Sequence, residues 1–207
     1  MTEQTNKNSV EILCIGSELL LGNITNGNAK WIAEQLAYLG LPHYRQTVIG
    51  DNINRLSEEV IQASKRCRIL ITTGGLGPTQ DDITTEAITS AFNGKLQERE
   101  DLWLEIKSKL ENKQNEISLN NKKQAYLPTE SIAIPNPIGT APGMIWTPID
   151  NFTIITFPGV PSELKRMWSD SAIPWLLKNG GGKNIFHSKI LRFTGIRESN
   201  LSEQISD

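Results

Sequence analysis

The chain has 207 residues, a formal net charge of −2, 38% hydrophobic residues and two cysteines. This length allows one domain of ordinary size and some additional residues. A domain of this size can form a stable hydrophobic core without disulfide bonds. Because acidic and basic residues nearly balance and form no long basic run, nucleic-acid binding is disfavoured. No secretory segment or apolar stretch of membrane-spanning length occurs, so we expect a cytoplasmic protein without nucleic-acid or membrane partners.

The first third of the chain alternates short apolar runs with amphipathic patterns. Residues 1–9 are polar and are predicted to form a mobile tail. Strand, helix, strand, helix, strand is the order typical of a parallel sheet with right-handed crossovers. The predicted elements are strands at Val10–Ile15, Tyr44–Ile49 and Ile69–Ile71, a loop at Leu19–Gly27, a helix at Asn28–Leu39 and a helix capped by Asp51. Cys14 and Cys67 are predicted to be small buried hydrophobes.

A turn rich in glycine and hydroxyl groups, Thr72–Thr79, lies between the third strand and a helix predicted over Asp82–Phe92. A strand, a glycine-rich turn and a helix in this order direct backbone N–H groups and a helix dipole toward an anion. The turn matches neither a P-loop nor G-x-G-x-x-G, which excludes the ordinary mononucleotide motifs. We therefore predict a phosphate-binding turn that includes Thr73, Gly74, Gly75, Leu76, Gly77 and Thr79.

Acidic residues are placed beside this turn. Asp81 and Asp82 lie just beyond it, where a divalent ion would bridge carboxylate and phosphate oxygens. The spacing of Thr79 and Asp82 also fits a helix cap without any ligand, and acids in a first turn stabilise a helix by roughly 0.3–1 kcal/mol each. Glu18 follows the first strand, at the sheet edge where α/β sheets bind ligands, although a solvent-facing loop glutamate is an equal alternative.

The second half contains two further segments rich in proline and glycine. They are the loop Asn136–Gly143 and the turn Phe157–Glu163, which enters a helix. Strands are predicted at Ile132–Ile134, Met144–Trp146 and Phe152–Phe157, a helix at Leu96–Lys113, and an exposed joint at Glu111–Lys123.

Six sequence blocks in a fixed order resemble one family. The blocks are Ile15–Gly22, Val48–Asn52, Thr72–Glu86, Lys123–Ala125, Asn136–Gly143 and Phe157–Glu163. Together they resemble the molybdopterin-binding fold shared by the molybdenum-cofactor proteins. The motif Gly-Leu-Gly-Pro-Thr resembles that of the CinA (competence/damage-inducible) branch of this family. The resemblance implies an α/β three-layer sandwich with a mostly parallel sheet over residues 10–177, related to the MoaB and Mog proteins.

The composition changes after Trp175. Residues 178–184 are predicted to be a glycine-rich linker, and a strand is predicted over Ile185–Phe193. By resemblance, residues 185–207 begin a small α+β subdomain that is cut off, although Arg197 stands where the family usually has glycine. Longer members carry a C-terminal amidohydrolase domain that deamidates nicotinamide mononucleotide, and we expect no such activity here.

The activity implied by the resemblance is metal-dependent hydrolysis of the pyrophosphate bond of ADP-ribose to AMP and ribose 5-phosphate. This reaction needs donors for the phosphates, a divalent cation, expected to be Mg²⁺ or Co²⁺, and a group that activates water. Asp82 is the expected leading metal ligand, and either Asp81 or Glu18 is the second ligand or the base. The remaining expected substrate contacts are Lys123, Gly139, Thr140, Pro158 and Gly159.

Two other functions remain open. A molybdopterin-binding or adenylyl-transferring protein shares the fold, but an arginine is usual there at the position of Asp81, which argues against the same substrate. A non-catalytic nucleotide-binding or assembly module is favoured by the three consecutive leucines Leu19–Leu21, which also suggest a homo-oligomer.

Overall fold

A six-stranded sheet in the order β2-β1-β3-β8-β7-β6 forms the centre of the fold. It is seen in a computed structural model that describes residues 9–112, 118–179 and 192–204. The strands are β1 Val10–Ile15, β2 His43–Ile49, β3 Ile69–Thr73, β6 Ile132–Ile134, β7 Gly143–Ile149 and β8 Phe152–Phe157. A separate antiparallel pair consists of β4 Leu96–Glu98 and β5 Tyr126–Pro128.

Helices cover both faces of the sheet. They are α1 Ser17–Leu20, α2 Gly27–Tyr38, α3 Ile53–Arg66, α4 Thr84–Ala91, α5 Glu100–Asn112, α6 Pro161–Met167, α7 Ile173–Asn179 and α8 Glu198–Gln204. Buried residues of α3, α4 and α5 belong to one hydrophobic cluster, and those of α2, α6 and α7 to a second. The predicted three-layer α/β sandwich with a mostly parallel sheet is therefore confirmed.

The strands that carry the site are parallel. β1 pairs in parallel with β2 and β3, and β3 pairs in parallel with β8. β1, β3 and β8 are buried along their whole length because helices cover both sides of them, which explains why most of their residues are apolar. Their carboxyl ends consequently meet at one edge of the sheet.

The prediction of one helix over Leu96–Lys113 is wrong at its start. Leu96–Glu98 pairs with Tyr126–Pro128 as a strand, and the helix begins at Glu100. Its predicted buried stripe, Leu102, Ile106 and Leu110, is confirmed. A 3₁₀-helix, Leu119–Ala125, occupies the described end of the segment predicted as an exposed joint, and its last two residues are buried.

Two local predictions near the first strands are also corrected. Leu19 and Leu20, predicted to begin a loop, instead end the short helix Ser17–Leu20, and Leu20 and Leu21 are exposed. The cap of α3 is Asn52, whose side chain accepts a hydrogen bond from the N–H of Arg55 at 3.1 Å. Asp51 instead bonds to the segment after β1.

The cysteines behave as small hydrophobes, as predicted. Cys14 and Cys67 are buried free thiols. Burial raises the pKa of the Cys14 thiol, although a hydrogen bond with Asn26 opposes the shift. Burial likewise raises the pKa of Cys67, to about 12. Both side chains are therefore held as neutral thiols near pH 7.

Several predictions on chain organisation fall partly outside the described residues. Residues 1–8 of the predicted tail lie outside them, whereas Ser9 is buried and its carbonyl accepts the N–H of Arg68 at 3.0 Å. Lys178 and Asn179 of the predicted linker end α7. The rest of the linker and most of the strand predicted over 185–193 are not described. Within the described ranges, no helix has the length and apolar character needed to cross a bilayer.

Candidate functional site

A cavity of about 670 Å³ opens at the carboxyl edge of the sheet. Ile15 at the end of β1, Thr73 at the end of β3 and Gly159 after β8 all line it. In sheets of this kind, ligands bind outside the carboxyl ends of the strands, near the point where strand order reverses. The volume lies within the range of small-molecule sites, about 300–1,000 Å³.

The carbonyl groups of the glycine turn are held by hydrogen bonds from elements that flank it. The hydroxyl of Thr84 donates to the carbonyl oxygen of Gly74 at 2.8 Å, and its N–H donates to the carbonyl oxygen of Gly75 at 3.2 Å. Gln124 donates from Nε2 to the carbonyl oxygen of Leu76, also at 3.2 Å. Three consecutive carbonyl groups thus have fixed partners.

The N–H groups that follow these carbonyls have no acceptor in the described part of the chain. All peptide bonds described are trans, and a trans peptide places its C=O and N–H on opposite sides. The N–H groups of Gly75, Leu76 and Gly77 therefore point away from Thr84 and Gln124, and no described residue accepts a hydrogen bond from them. All three residues line the cavity, so the turn presents consecutive donors suited to an anion.

The backbone of the turn requires glycine at two positions. Gly74 has φ +107° and Gly75 has φ +65°, both in the region that L side chains rarely adopt. A Cβ at Gly74 would also collide with the carbonyl of Ile15, and one at Gly75 with the hydroxyl of Thr84. These glycines allow β3 to turn close to β1 while keeping the donors accessible.

Asp82 is anchored at the end of the turn. Its Oδ2 accepts from the N–H of Thr79 at 2.9 Å and from the Thr79 hydroxyl at 2.6 Å. The helix α4 begins only at Thr84, so Asp82 precedes it instead of lying in its first turn. Oδ1 has no hydrogen-bond partner among the described residues, and the side chain lines the cavity. The sequence suggested either a local hydrogen bond between Asp82 and Thr79 or a position of Asp82 beside a ligand. The structure has both the hydrogen bond and the position at the cavity.

The charged side chains around the cavity are all acidic. They are Glu18, Asp51, Asp81, Asp82 and Glu163, and among the described residues no lysine, arginine or histidine lines it. In the described part of the chain, no three His, Cys, Asp or Glu side chains are grouped to hold a metal. This lining does not form a closed protein cage, but it fits Mg²⁺, which is often held by one or two carboxylates together with substrate phosphates.

Asp51 is a cavity residue that the sequence analysis did not identify. Its Oδ2 accepts the N–H of Ser17 at 2.9 Å, and its own N–H donates to the Ser17 hydroxyl at 3.1 Å. This reciprocal pair joins the segments after β1 and β2 and fixes the start of α1, which carries Glu18. The sequence offered one indication of this contact: Ser17 and Asp51 each follow a predicted strand, and consecutive parallel strands are often neighbours in a sheet.

Asn28 and Thr73 connect three elements at the base of the cavity. The Thr73 hydroxyl donates to the carbonyl oxygen of Pro158 at 2.9 Å. Asn28 donates from Nδ2 to the carbonyl oxygen of Gly159 at 2.8 Å and to the Thr73 oxygen at 3.2 Å. The hydroxyl proton of Thr73 is therefore used within the protein. Asn28 was not identified from the sequence, because its partners are distant along the chain.

Three expected substrate contacts, Thr79, Lys123 and Gly139, do not line the cavity. Lys123 forms an ion pair with Glu86 at 3.2 Å and donates to the carbonyl oxygen of Thr79 at 3.2 Å. Gly139 lies directly against the carboxylate of Glu163. The other expected residues are brought together around the cavity: Glu18, Thr73, Gly74, Gly75, Leu76, Gly77, Asp81, Asp82, Thr140, Pro158 and Gly159.

Residues 11–178 match the family model described as a probable molybdopterin binding domain. The chain is 59% identical, over all of its 207 residues, to a CinA-like protein of Prochlorococcus marinus (strain MIT 9313), of which it covers 48%. It is 58% identical to a CinA-like protein of Parasynechococcus marenigrum (strain WH8102), across 96% of this chain and 47% of the relative. The chain thus spans about half the length of the curated relatives it matches.

Solved structures show the same fold. The protein CinA of unknown function from Thermoplasma acidophilum aligns with a TM-score of 0.74 and 28% identity, over 84% of this chain and 98% of that one. The tungsten cofactor synthesizing protein MoaB from Pyrococcus furiosus aligns with a TM-score of 0.53 and 17% identity, over 84% and 97%. Because the sequence identity to MoaB is only 17%, this similarity shows a shared fold and nothing about function.

Proposed function

Because the chain belongs to the family of probable molybdopterin binding domains, and within it to the CinA-like proteins, we propose that it hydrolyses the pyrophosphate bond of ADP-ribose with a divalent cation. The observation that carries the proposal is the combination of three N–H groups with an acidic lining. The N–H groups of Gly75, Leu76 and Gly77 have no acceptor among the described residues, and all the charged side chains described around the cavity are acidic. The N–H groups suit a phosphate, whereas the carboxylates would repel a diphosphate that arrives without a cation.

In this proposal, different groups of the chain bind the phosphates, hold the cation and accept the proton of the attacking water. The N–H groups of the turn bind phosphate oxygens and stabilise the charge that grows on them during the reaction. Asp82 and Asp81 would hold the cation. A bound Mg²⁺ or Co²⁺ supplies charge neutralisation at the phosphate oxygens. Glu18, on the helix fixed by Asp51, accepts a proton from the attacking water.

The reaction balances with these groups. The oxygen of water forms a bond to one phosphorus, and the bond from that phosphorus to the bridging oxygen breaks. The bridging oxygen leaves with the second phosphate, and the products are AMP and ribose 5-phosphate. Asp81 and Glu18 exchange roles in the alternative assignment, in which Asp81 takes the proton and Glu18 assists Asp82 at the cation.

A second candidate function is the binding of a molybdopterin, and it is favoured by the match of residues 11–178 to the family model. The phosphate of a pterin would use the same N–H groups. Asp81 would then lie beside the phosphate as an uncompensated negative charge, which makes this ligand the poorer fit. The homo-oligomer and the cytoplasmic location expected from the sequence stay predictions.

The direct test is incubation of the purified protein with ADP-ribose and Mg²⁺ or Co²⁺, with AMP followed by chromatography and a parallel sample in EDTA. We expect AMP and ribose 5-phosphate in equal amounts with the cation, and none in EDTA. Binding of ADP-ribose without any product would contradict hydrolysis and leave a nucleotide-binding module. Tight binding of a molybdopterin with no binding of ADP-ribose would favour the second candidate.

A further inference from the structure

The wall of the cavity formed by the loop after β6 is organised around Asn136, which is 1% exposed. Its Oδ1 accepts the N–H groups of Ile138 at 3.2 Å and Gly139 at 2.8 Å. Its Nδ2 donates to the carbonyl oxygen of Ala141 at 2.8 Å and to Oε2 of Glu163 at 2.7 Å. The side-chain amide is therefore fully used in fixing the loop and the Glu163 carboxylate.

The carboxylate of Glu163 is held from two sides. Asn136 binds one of its oxygens, and Gly139 lies so close to the group that a Cβ there would collide with it. Glu163 lines the cavity, and its Oε1 has no hydrogen-bond partner among the described residues. The wall thus presents a fixed carboxylate with a free oxygen to whatever enters the cavity.

The charged group that this wall presents is an acceptor, because Oε1 of Glu163 has no partner among the described residues and the Asn136 amide is engaged. A phosphate would be repelled by the carboxylate. The edge of adenine pairs one N–H donor with a ring-nitrogen acceptor, so only half of that edge suits a carboxylate. A vicinal diol supplies two donors, which is what a carboxylate accepts.

We propose that Glu163 binds the vicinal diol of a ribose, and that Asn136 is the residue that positions it. The inference rests on the proposed function, since it concerns the sugar of the same nucleotide ligand. The phosphate-binding turn follows β3 and Glu163 follows the adjacent strand β8, so one ligand reaches both across a single cavity. A nucleotide that lacks the diol would leave the free oxygen of this carboxylate without a donor from the ligand.

Titration calorimetry in Mg²⁺ tests the assignment with pairs of ligands that differ in the diol alone. AMP and 2′,3′-dideoxy-AMP probe the adenosine ribose, and ribose 5-phosphate and 2-deoxyribose 5-phosphate probe the terminal ribose. For one of the two pairs, we expect the wild-type protein to prefer the diol ligand by about tenfold or more, as for hydrogen bonds to a charged group. In Glu163→Gln, which keeps the shape, this preference should fall several-fold with little change in affinity for the deoxy ligand. Glu58→Gln, an exposed change on α3, is the matched control.

Three results overturn the assignment. The first is an unchanged diol preference in Glu163→Gln, and the second is an equal rise in affinity for all four ligands, which would show only charge repulsion. The third is a change in discrimination between AMP and IMP in place of the diol preference, which would assign the side chain to the base. Failure of the proposed hydrolysis gives a different result. A diol preference without AMP production would contradict the hydrolysis and support the ribose subsite. No binding of any of the ligands would contradict both proposals.

Discussion

Gln124 donates a hydrogen bond from Nε2 to the carbonyl oxygen of Leu76 at 3.2 Å, across 48 residues of sequence. The adjacent Lys123 donates in the same way to the carbonyl oxygen of Thr79. The 3₁₀-helix that carries both therefore holds the glycine turn at two points and fixes peptide planes within it. The block Lys123–Ala125 therefore supports the phosphate-binding turn through hydrogen bonds to its carbonyl groups.

Replacement Gln124→Met should weaken phosphate binding with little loss of stability. The carbonyl of Leu76 loses its donor, so the N–H of Gly77 is no longer held toward an anion, and one such bond is worth about 0.5–1.5 kcal/mol. The loss of this hydrogen bond should cost little stability, because methionine also removes Oε1 of Gln124, which is buried and has no partner among the described residues. Calorimetry with AMP and Mg²⁺ should show up to about a tenfold weaker Kd. Gln97→Met, an exposed change on β4, is the control, and equal affinities would contradict the supporting role.

Replacement Lys123→Met should reduce stability more than ligand binding. Lys123 pairs with Glu86, whose Oε2 is buried without a partner, and does not line the main cavity. Loss of the lysine leaves Glu86 uncompensated, and we expect a cost of about 1 kcal/mol in urea unfolding. Addition of Glu86→Gln should recover most of it. A direct phosphate contact would instead lower the salt dependence of the Kd for AMP in Lys123→Met.

The sequence located the turn and the sheet edge because both depend on local patterns. An apolar run, glycines and acids in sequence define the turn, and the carboxyl ends of parallel strands must meet. The partners of individual side chains depend on elements far apart in sequence. Asp51 was predicted to cap the adjacent helix, but it bonds to Ser17 because β1 and β2 are neighbours. Local spacing contained no information about that contact.

Tertiary pairing also explains the error in the segment that begins at Leu96. The spacing of Leu102, Ile106 and Leu110 correctly predicts a buried helical stripe, but the helix predicted from it begins too close to the N-terminus. Leu96–Glu98 adopts the strand conformation because Tyr126–Pro128 provides a hydrogen-bonding edge. A three-residue strand gives too short an alternation to compete with an adjacent helical pattern.

Asp82→Asn should remove most turnover of ADP-ribose while it preserves the turn. The amide oxygen of asparagine still accepts from Thr79, but the negative charge proposed for the cation is lost. We expect kcat to fall by about 10²-fold or more, the scale of a lost electrostatic contact in a transition state. Asp150→Asn, in the exposed turn between β7 and β8, should leave kcat unchanged. Turnover equal to that of the wild type would remove Asp82 from the mechanism.

Arg66→Met should destabilise the fold without affecting the cavity. Glu11 is 6% exposed, and both of its oxygens accept from Arg66, at 3.0 and 2.8 Å. Removal of the guanidinium leaves a buried unpaired carboxylate, at a cost of about 3–5 kcal/mol. The free energy of unfolding in urea measures it. Arg66→Met combined with Glu11→Gln should be more stable than Arg66→Met alone, and equal stabilities would contradict the explanation by unpaired charge.

Stability at alkaline pH depends on Cys67, which is 4% exposed at the end of α3. Burial, reinforced by the negative charge of Glu11, raises the pKa of its thiol from 9.0 to about 12. In the unfolded chain the thiol ionises near its ordinary pKa, so the unfolded state loses its proton first as the pH rises. The thiol's contribution to stability is therefore complete below pH 9.0 and is lost as the pH approaches about 12. Urea unfolding of wild type and Cys67→Ala over this window should show a difference that shrinks with increasing pH, and a constant difference would contradict the raised pKa.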